Sequence, residues 1–468
     1  MTRHPSQATL DRMAAVVGER HALREPAAMA AYLQEWRQIW TGRSPLVLRP
    51  GSTAEVSQIL AIAHETGTAI VPQSGNTGLN GGQIPLEDGS EVLLSLDRMT
   101  RIIEVDAADN TITVEAGAIL QTVQDAADAV DRLFPLSLAS QGSCRIGGNL
   151  STNAGGLNVI RYGNARDLCL GLEVVLADGR VWNGLRRLRK DNTGYDLRDI
   201  FIGAEGTLGI ITAAVMKLFP KPRSHETAFI AVPDPQAAVD LLSLVQAMSG
   251  NRAVAFELIA SVAMDFTIRH GGTRNPLASP SPWYVLAELA DPVPGSFTGI
   301  LESAIEQGFA TDAAIAQSEA QRSAFWTIRE LISESQKPEG GSIKHDISVP
   351  VSKIPHFIAA ADAAVARFMP GCRFVTFGHM GDGNIHYNVS QPPGMDKQAF
   401  LDSWNAMNDV VFGVVMAFGG SISAEHGIGR LKAHHMPQIK SPVELQMMRS
   451  LKQMFDPNNI LSPGRVLP

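Results

Sequence analysis

Apolar positions change their period several times along this chain. PLVLRP at 45–50 is a short apolar run that predicts a strand. Val56, Ile59, Leu60 and Ala63 then recur at helical spacing, opened by Ser52 and Glu55 as a capping box and closed by Gly67. AIVP at 69–72 returns to strand character, so the chain begins as β-α-β. Further strands are predicted at 91–96, 111–117 and 208–219. A helix over 118–130 carries Leu120, Val123, Ala127 and Val130 on one face. LEVVLADGRVW at 172–182 reads as a hairpin about Asp178-Gly179. PKPRS at 220–224 has two prolines within three residues and predicts a linker, with a domain boundary near 221.

Beyond that point the pattern is mixed α+β, with helices predicted near 235–249, 297–308, 318–337 and 397–418. SPVE at 441–444 is a second capping box with Pro442 at the first helical position; Met448, Leu451 and Phe455 line one face of the helix that follows. Residues 1–40 read as a polar helical flank ending in Tyr32, Trp36 and Trp40.

Composition narrows the class. Of 468 residues, 45% are hydrophobic and 18% charged, which favours a large buried core over disorder. The net charge of −8 argues against nucleic acid as a partner. The one basic run, RRLRK at 186–190, reads as a solvated loop or local ion-pair donor. Three sparse cysteines imply no disulfide framework and fit a reducing compartment. The N-terminus lacks the apolar run of a signal peptide, and no stretch of about 18 apolar residues predicts a membrane span. The expected location is cytoplasmic.

Glycine is concentrated in QSGNTGLNGG (73–82), QGSCRIGGNLSTNAGG (141–156) and GAEGTLG (203–209). Such turns let main-chain N–H groups approach an anion closely, and the interleaved Ser74, Asn76, Thr77, Ser143, Asn149, Thr152 and Asn153 add neutral donors. Three donor-rich segments with little positive charge suit a pyrophosphate. No helical run follows Gly75 and Gly78, so this is not a Rossmann fingerprint, and no Gly-Lys-Ser/Thr makes it a Walker loop. GHMGDGNIHYN at 378–388 places His379 and His386 about a glycine turn that would let both imidazoles converge, with Glu425-His426 downstream. Two histidines and a carboxylate are a common zinc set. Spacing alone leaves open whether they bind a metal or line a cleft as hydrogen-bonded groups.

These segments, with GLEVVLADG, LRKDNTGYDLRDIFIGAEGTLGIIT and AEHGIG, resemble the FAD-linked oxidases related to vanillyl-alcohol oxidase. More narrowly they resemble the branch of D-2-hydroxyglutarate, D-lactate and glycolate dehydrogenases. The resemblance runs from about residue 45 to the C-terminus. It implies an α+β fold: after a flank at 1–44, a two-lobed FAD-binding domain at 45–220, a substrate domain at 221–420 with an antiparallel sheet flanked by helices, and a segment at 421–468 returning to the flavin. It also implies a homodimer. Pro72, Ser74, Gly75, Asn76, Thr77, Gly78, Gly142 and Ser143 would wrap the pyrophosphate. Gly147, Gly148, Asn149, Thr152, Asn153 and Gly155 would continue along the cofactor, and Glu205, Gly206, Gly209 and Ile210 would meet its adenosine or ring portions. No histidine occurs in 65–162, which excludes a histidyl–flavin bond from these loops and leads to the expectation of non-covalent FAD.

The resemblance further implies a divalent metal, zinc first, on His379, His386 and Glu425, with His426 as general base. Arg329, Lys344 and Asn388 match positions that bind the substrate. Ser333 stands where hydroxyglutarate dehydrogenases carry threonine, which keeps a hydroxyl and removes a methyl. Residues alone would make Arg329 and Lys344 surface ion-pair partners. The implied reaction is oxidation of a D-2-hydroxy acid, with D-2-hydroxyglutarate first and D-lactate, D-malate or glycolate as alternatives. The electrons would pass to an electron-transfer flavoprotein, a quinone or a cytochrome. A flavin-free metal hydrolase would leave the glycine segments unexplained. A non-catalytic oxidase subunit would lack metal or base residues, and all are present.

Overall fold

The computed structural model describes residues 4–468. The chain forms two compact units. One comprises the residues up to Gly155, Gly163–Lys221 and His426–Pro468; the other comprises Gly156–Tyr162 and Pro222–Glu425.

In the first unit, β1 (Ala22–Leu23), β2 (Val47–Leu48), β3 (Ala69–Gln73) and β4 (Glu91–Ser95) form a sheet in the order β1-β2-β4-β3. β2 and β3 both pair parallel with β4, and the helix Thr53–Thr66 supplies the crossover. Ser52 caps that helix by accepting the Glu55 N–H at 3.2 Å. The Glu55 carboxylate takes the N–H of Gly51 at 2.7 Å, one residue earlier than a capping box would place it. Gly67 ends the helix at φ 68°. The N-terminal flank does more than pack as helices: its strand β1 pairs antiparallel with β2.

Downstream come β5 (Ile102–Asp106), β6 (Thr111–Glu115), β7 (Arg132–Leu133), β8 (Cys169–Val175), β9 (Val181–Gly184), β10 (Ile210–Lys217) and β11 (Phe219–Pro220). Five of them make an antiparallel sheet in the order β5-β6-β10-β8-β9. Asp178 and Gly179, at φ 87°, form the β8–β9 turn. Pro220, the first residue of the expected linker, still pairs with β7, next to Phe219. A two-residue edge pairing tolerates proline because it needs few donors. The basic run is an ion-pair donor: Arg186 meets Asp191 at 2.5 Å and Arg187 meets Glu104 at 2.7 Å.

The second unit is built on a seven-stranded antiparallel sheet. Its strands are β12 (His225–Val232), β13 (Ala253–Ala260), β14 (Trp283–Ala290), β15 (Asp312–Ile315), β16 (Ser342–Ser348), β17 (Arg373–His379) and β18 (Asn384–Ser390), in the order β15-β12-β14-β13-β17-β18-β16. Helices Ser261–Gly271 and Glu319–Ser335 cover one face, packing Met264, Phe266, Phe325, Ile328 and Ile332 against Phe229, Ile259, Leu286, Val375 and Phe377. Helices Ser261–Gly271 and Ile354–Phe368 were not singled out from the sequence. The helix expected over 397–418 is two, Lys397–Leu401 and Trp404–Ala417. At the break the Ser403 hydroxyl donates to the Phe400 carbonyl at 2.6 Å, a local bond that competes with the helix ladder. Among the described residues no helix is long and apolar enough to cross a membrane.

Candidate active site

A cavity in the first unit is walled by the loop after β3 and by segments 145–152 and 205–211. Its wall holds Pro72, Ser74, Gly75, Asn76, Thr77, Gly78, Gly147, Gly148, Asn149, Thr152, Glu205, Gly206, Gly209 and Ile210. His426 lines the same cavity. Gly142, Ser143, Asn153 and Gly155 lie outside that wall, whereas Asn80, Gln83 and Arg145 line it without having been singled out from the sequence.

The glycines are there because backbones touch. A Cβ on Gly75 would stand 2.5 Å from the Ser143 carbonyl oxygen and 2.9 Å from the Cys144 Cα. Among the described residues, none of the main-chain N–H groups of Gly75–Gly78 donates to another protein group. Unused neutral donors around one cavity fit the pyrophosphate of a dinucleotide.

The segment carrying His426 is clamped to this unit. Asn80 Nδ2 donates to the carbonyls of His426, at 2.9 Å, and Gly427. The Glu205 carboxylate accepts the N–H of Ile428 at 2.7 Å and of Gly429 at 2.8 Å. Burial pushes the Glu205 carboxyl up, and these two N–H groups act against it. Gly427 has φ 74°, and a Cβ there would lie 2.7 Å from Glu205 Oε1.

In the second unit, strand register gathers the chemistry on one face of the sheet. Glu257 lies directly across from His379, and Phe377 across from His386. Asp346 lies across from His386, and Lys344 across from Asn388. Side chains two apart share a face, so these residues all project from the side covered by the helix Glu319–Ser335. The 3-10 turn Met380–Asp382 and Gly383, at φ 89°, join β17 to β18 and bring the two imidazoles to 5.4 Å between ring centroids. One donor atom from each of His379, His386 and Glu425 lies within 4.8 Å of the others. Asp346 Oδ2 accepts the Glu425 N–H at 3.0 Å and so fixes the third member. Arg329 comes down from the helix over the Phe377 ring, 4.7 Å from its centroid. The exposed Lys344 reaches the Ser333 carbonyl at 3.4 Å. Asn388 is buried and donates to Gln336 Oε1 at 3.2 Å.

Sequence reasoning missed Glu257, which accepts from His379 Nδ1 and from Arg329 Nε, each at 2.7 Å. Its signal was available: one acid inside AVAFELIA, an otherwise apolar strand, must find partners. Burial pushes the Glu257 carboxyl up, yet His379 and Arg329 hold it at about 2. Burial pushes the His379 imidazole down, but Glu257 and then Glu425 raise it to about 9. Burial, and then Asp346 and Asp382, push the Glu425 carboxyl up, against His379 and Arg329. Acidic crowding around two imidazoles is relieved by a divalent cation, so the donor set fits one.

Solved structures share this architecture. A p-cresol methylhydroxylase with substrate bound superposes with a TM-score of 0.78 at 18% identity, covering 98% of this chain and 97% of that one. An alkyldihydroxyacetonephosphate synthase gives 0.73 at 17% identity, with 99% and 86% covered. The fold is therefore the one these two proteins share. A profile described as "FAD binding domain" matches residues 44–184, and one described as "FAD linked oxidases, C-terminal domain" matches 221–466. The chain belongs to the FAD-linked oxidase family. It is 38% identical to the mitochondrial D-2-hydroxyglutarate dehydrogenase of Arabidopsis thaliana, over 97% of this chain and 80% of that protein. It is 34% identical to the D-2-hydroxyglutarate dehydrogenase of Stutzerimonas stutzeri, over 98% of each.

Proposed function

We propose that this FAD-dependent oxidoreductase is a D-2-hydroxyacid dehydrogenase that converts D-2-hydroxyglutarate to 2-oxoglutarate. The observation that carries the assignment is the sheet face that brings His379 and His386 to Glu425 and also carries Lys344, with Arg329 above its Phe377 ring. Two cations suit a dicarboxylate better than a monocarboxylate such as D-lactate.

Arg329 binds one substrate carboxylate through its terminal nitrogens, because its Nε is committed to Glu257. Lys344, Ser333 and Asn388 orient the rest of the acid. His379, His386 and Glu425 would hold a divalent ion, zinc first, and its Lewis acidity would lower the pKa of the 2-hydroxyl. His426 takes the hydroxyl proton on a ring nitrogen. FAD, when bound, supplies the hydride acceptor, its N5, and with it the redox chemistry. The glycine loops hold the cofactor without a covalent bond through Pro72–Gly78, Gly147–Thr152 and Glu205–Ile210. The electron acceptor is an electron-transfer flavoprotein, a quinone or a cytochrome, and the working form is a cytoplasmic homodimer. The Arabidopsis relative is named mitochondrial, so fractionation of the native host tests the location.

The decisive experiment is anaerobic bleaching of the flavin by a panel of D- and L-2-hydroxy acids, with and without chelator. D-2-Hydroxyglutarate should bleach fastest, and chelation should stop it. No bleaching by any 2-hydroxy acid refutes the activity; bleaching indifferent to chelator refutes the metal. His426→Ala should retain FAD and nearly abolish reduction.

A further inference from the structure

Glu257 lies at the centre of the catalytic face, and neither of its oxygens is available to substrate. It is 0% exposed. Oε1 accepts from His379 Nδ1 and Oε2 from Arg329 Nε, both at 2.7 Å. We propose that Glu257 is a positioning residue that couples the two halves of the substrate site: it fixes His379 as a metal ligand and holds the Arg329 guanidinium. The proposal rests on the metal and substrate-carboxylate roles given above.

The chemistry follows from the two bonds. An imidazole that donates Nδ1–H to a carboxylate is locked in the tautomer whose Nε2 lone pair is free to ligate. In His379 that Nε2 is the atom facing Glu425, with Oε1 at 3.4 Å. A guanidinium bound at Nε keeps its two terminal nitrogens as a fork for a carboxylate. The Phe377 ring lies under the Arg329 guanidinium, its centroid 4.7 Å from the central carbon. Because both bonds end on one carboxylate, a shift of the metal ligand displaces the arginine as well.

A purely structural role would be to pin the helix Glu319–Ser335 to the sheet. Glu288 already does that independently: it accepts from Arg322 at 2.8 Å and from Trp326 Nε1 at 2.9 Å, on the same helix. Glu288 touches none of the candidate ligands, which makes it the internal control.

The test uses the purified FAD-loaded enzyme and zinc alone as the probe, titrated in competition with a chromophoric chelator. Glu257→Gln should weaken zinc binding by roughly 10- to 100-fold. It should also raise the KM for D-2-hydroxyglutarate and leave the flavin absorbance spectrum unchanged. Glu288→Gln should lower the melting temperature and leave zinc affinity unchanged. Zinc binding lost in His379→Ala but untouched in Glu257→Gln overturns the proposal and spares the metal assignment. Equal zinc affinity in wild type and His379→Ala overturns the metal assignment, and the proposal with it. Equal weakening in Glu257→Gln and Glu288→Gln reduces Glu257 to a structural pin and overturns the proposal. Should Glu257→Gln not fold, Glu257→Asp, charged but too short to span both partners, is judged by the same outcomes.

Discussion

Gly75→Ala should open the flavin cradle from one side. The new methyl would meet the Ser143 carbonyl oxygen at 2.5 Å, the Cys144 Cα at 2.9 Å and the Arg145 nitrogen at 3.3 Å. All three are backbone atoms, so no side chain can swing away and the two cradle loops must separate. Overpacking of this kind costs about 1–3 kcal/mol. Borne wholly by the FAD-loaded state, that is roughly a 5- to 150-fold rise in Kd. The assay is titration of apoprotein with FAD, followed by quenching of flavin fluorescence. Gly142→Ala is the control, because a Cβ there meets nothing within 4 Å. It should bind FAD as wild type does. Wild-type affinity in Gly75→Ala, or equal loss in Gly142→Ala, would refute the steric account.

Arg465→Met should destabilise the first unit by about 3–5 kcal/mol, because it strands the buried Glu91 carboxylate that Arg465 Nη2 holds at 2.8 Å. Urea unfolding checks this, and a loss below about 1 kcal/mol, typical of surface pairs, would contradict it. Glu205→Gln should speed hydrogen exchange at the Ile428 and Gly429 amides by roughly 5- to 150-fold, the equivalent of about 1–3 kcal/mol for an unmet buried donor. Unchanged exchange would mean that the two bonds do not hold the loop. Burial works to raise Glu288, but His225, Arg322 and Trp326 hold it below its ordinary 4.5. The stability it contributes is therefore complete above that value and is lost as pH falls through the depressed folded-state value. Glu288→Gln should flatten the fall in melting temperature below pH 4.5, and an unchanged slope would count against the linkage.

Local physics was legible in the chain because it acts over a few residues. The helix Pro442–Phe455 has the reciprocal capping box that Ser441 and Glu444 require, and Asp178-Gly179 makes its turn, since both depend on neighbouring backbone alone. Three glycine-dense segments announced a donor-lined cradle through composition. Glu257, Asp346 and Gln336 escaped notice because nothing near them in sequence reveals what they touch. The interactions of Glu257 span 72 residues to Arg329 and 122 to His379. Only antiparallel register could decide that Glu257, His379, His386, Asp346, Lys344 and Asn388 share one face, because a slip of one residue would send half of them to the other side. Only the packed first unit could decide which glycines admit a backbone and which merely turn: Gly75 and Gly142 stand in similar Gly/Ser-rich loops, and tertiary contact separates them.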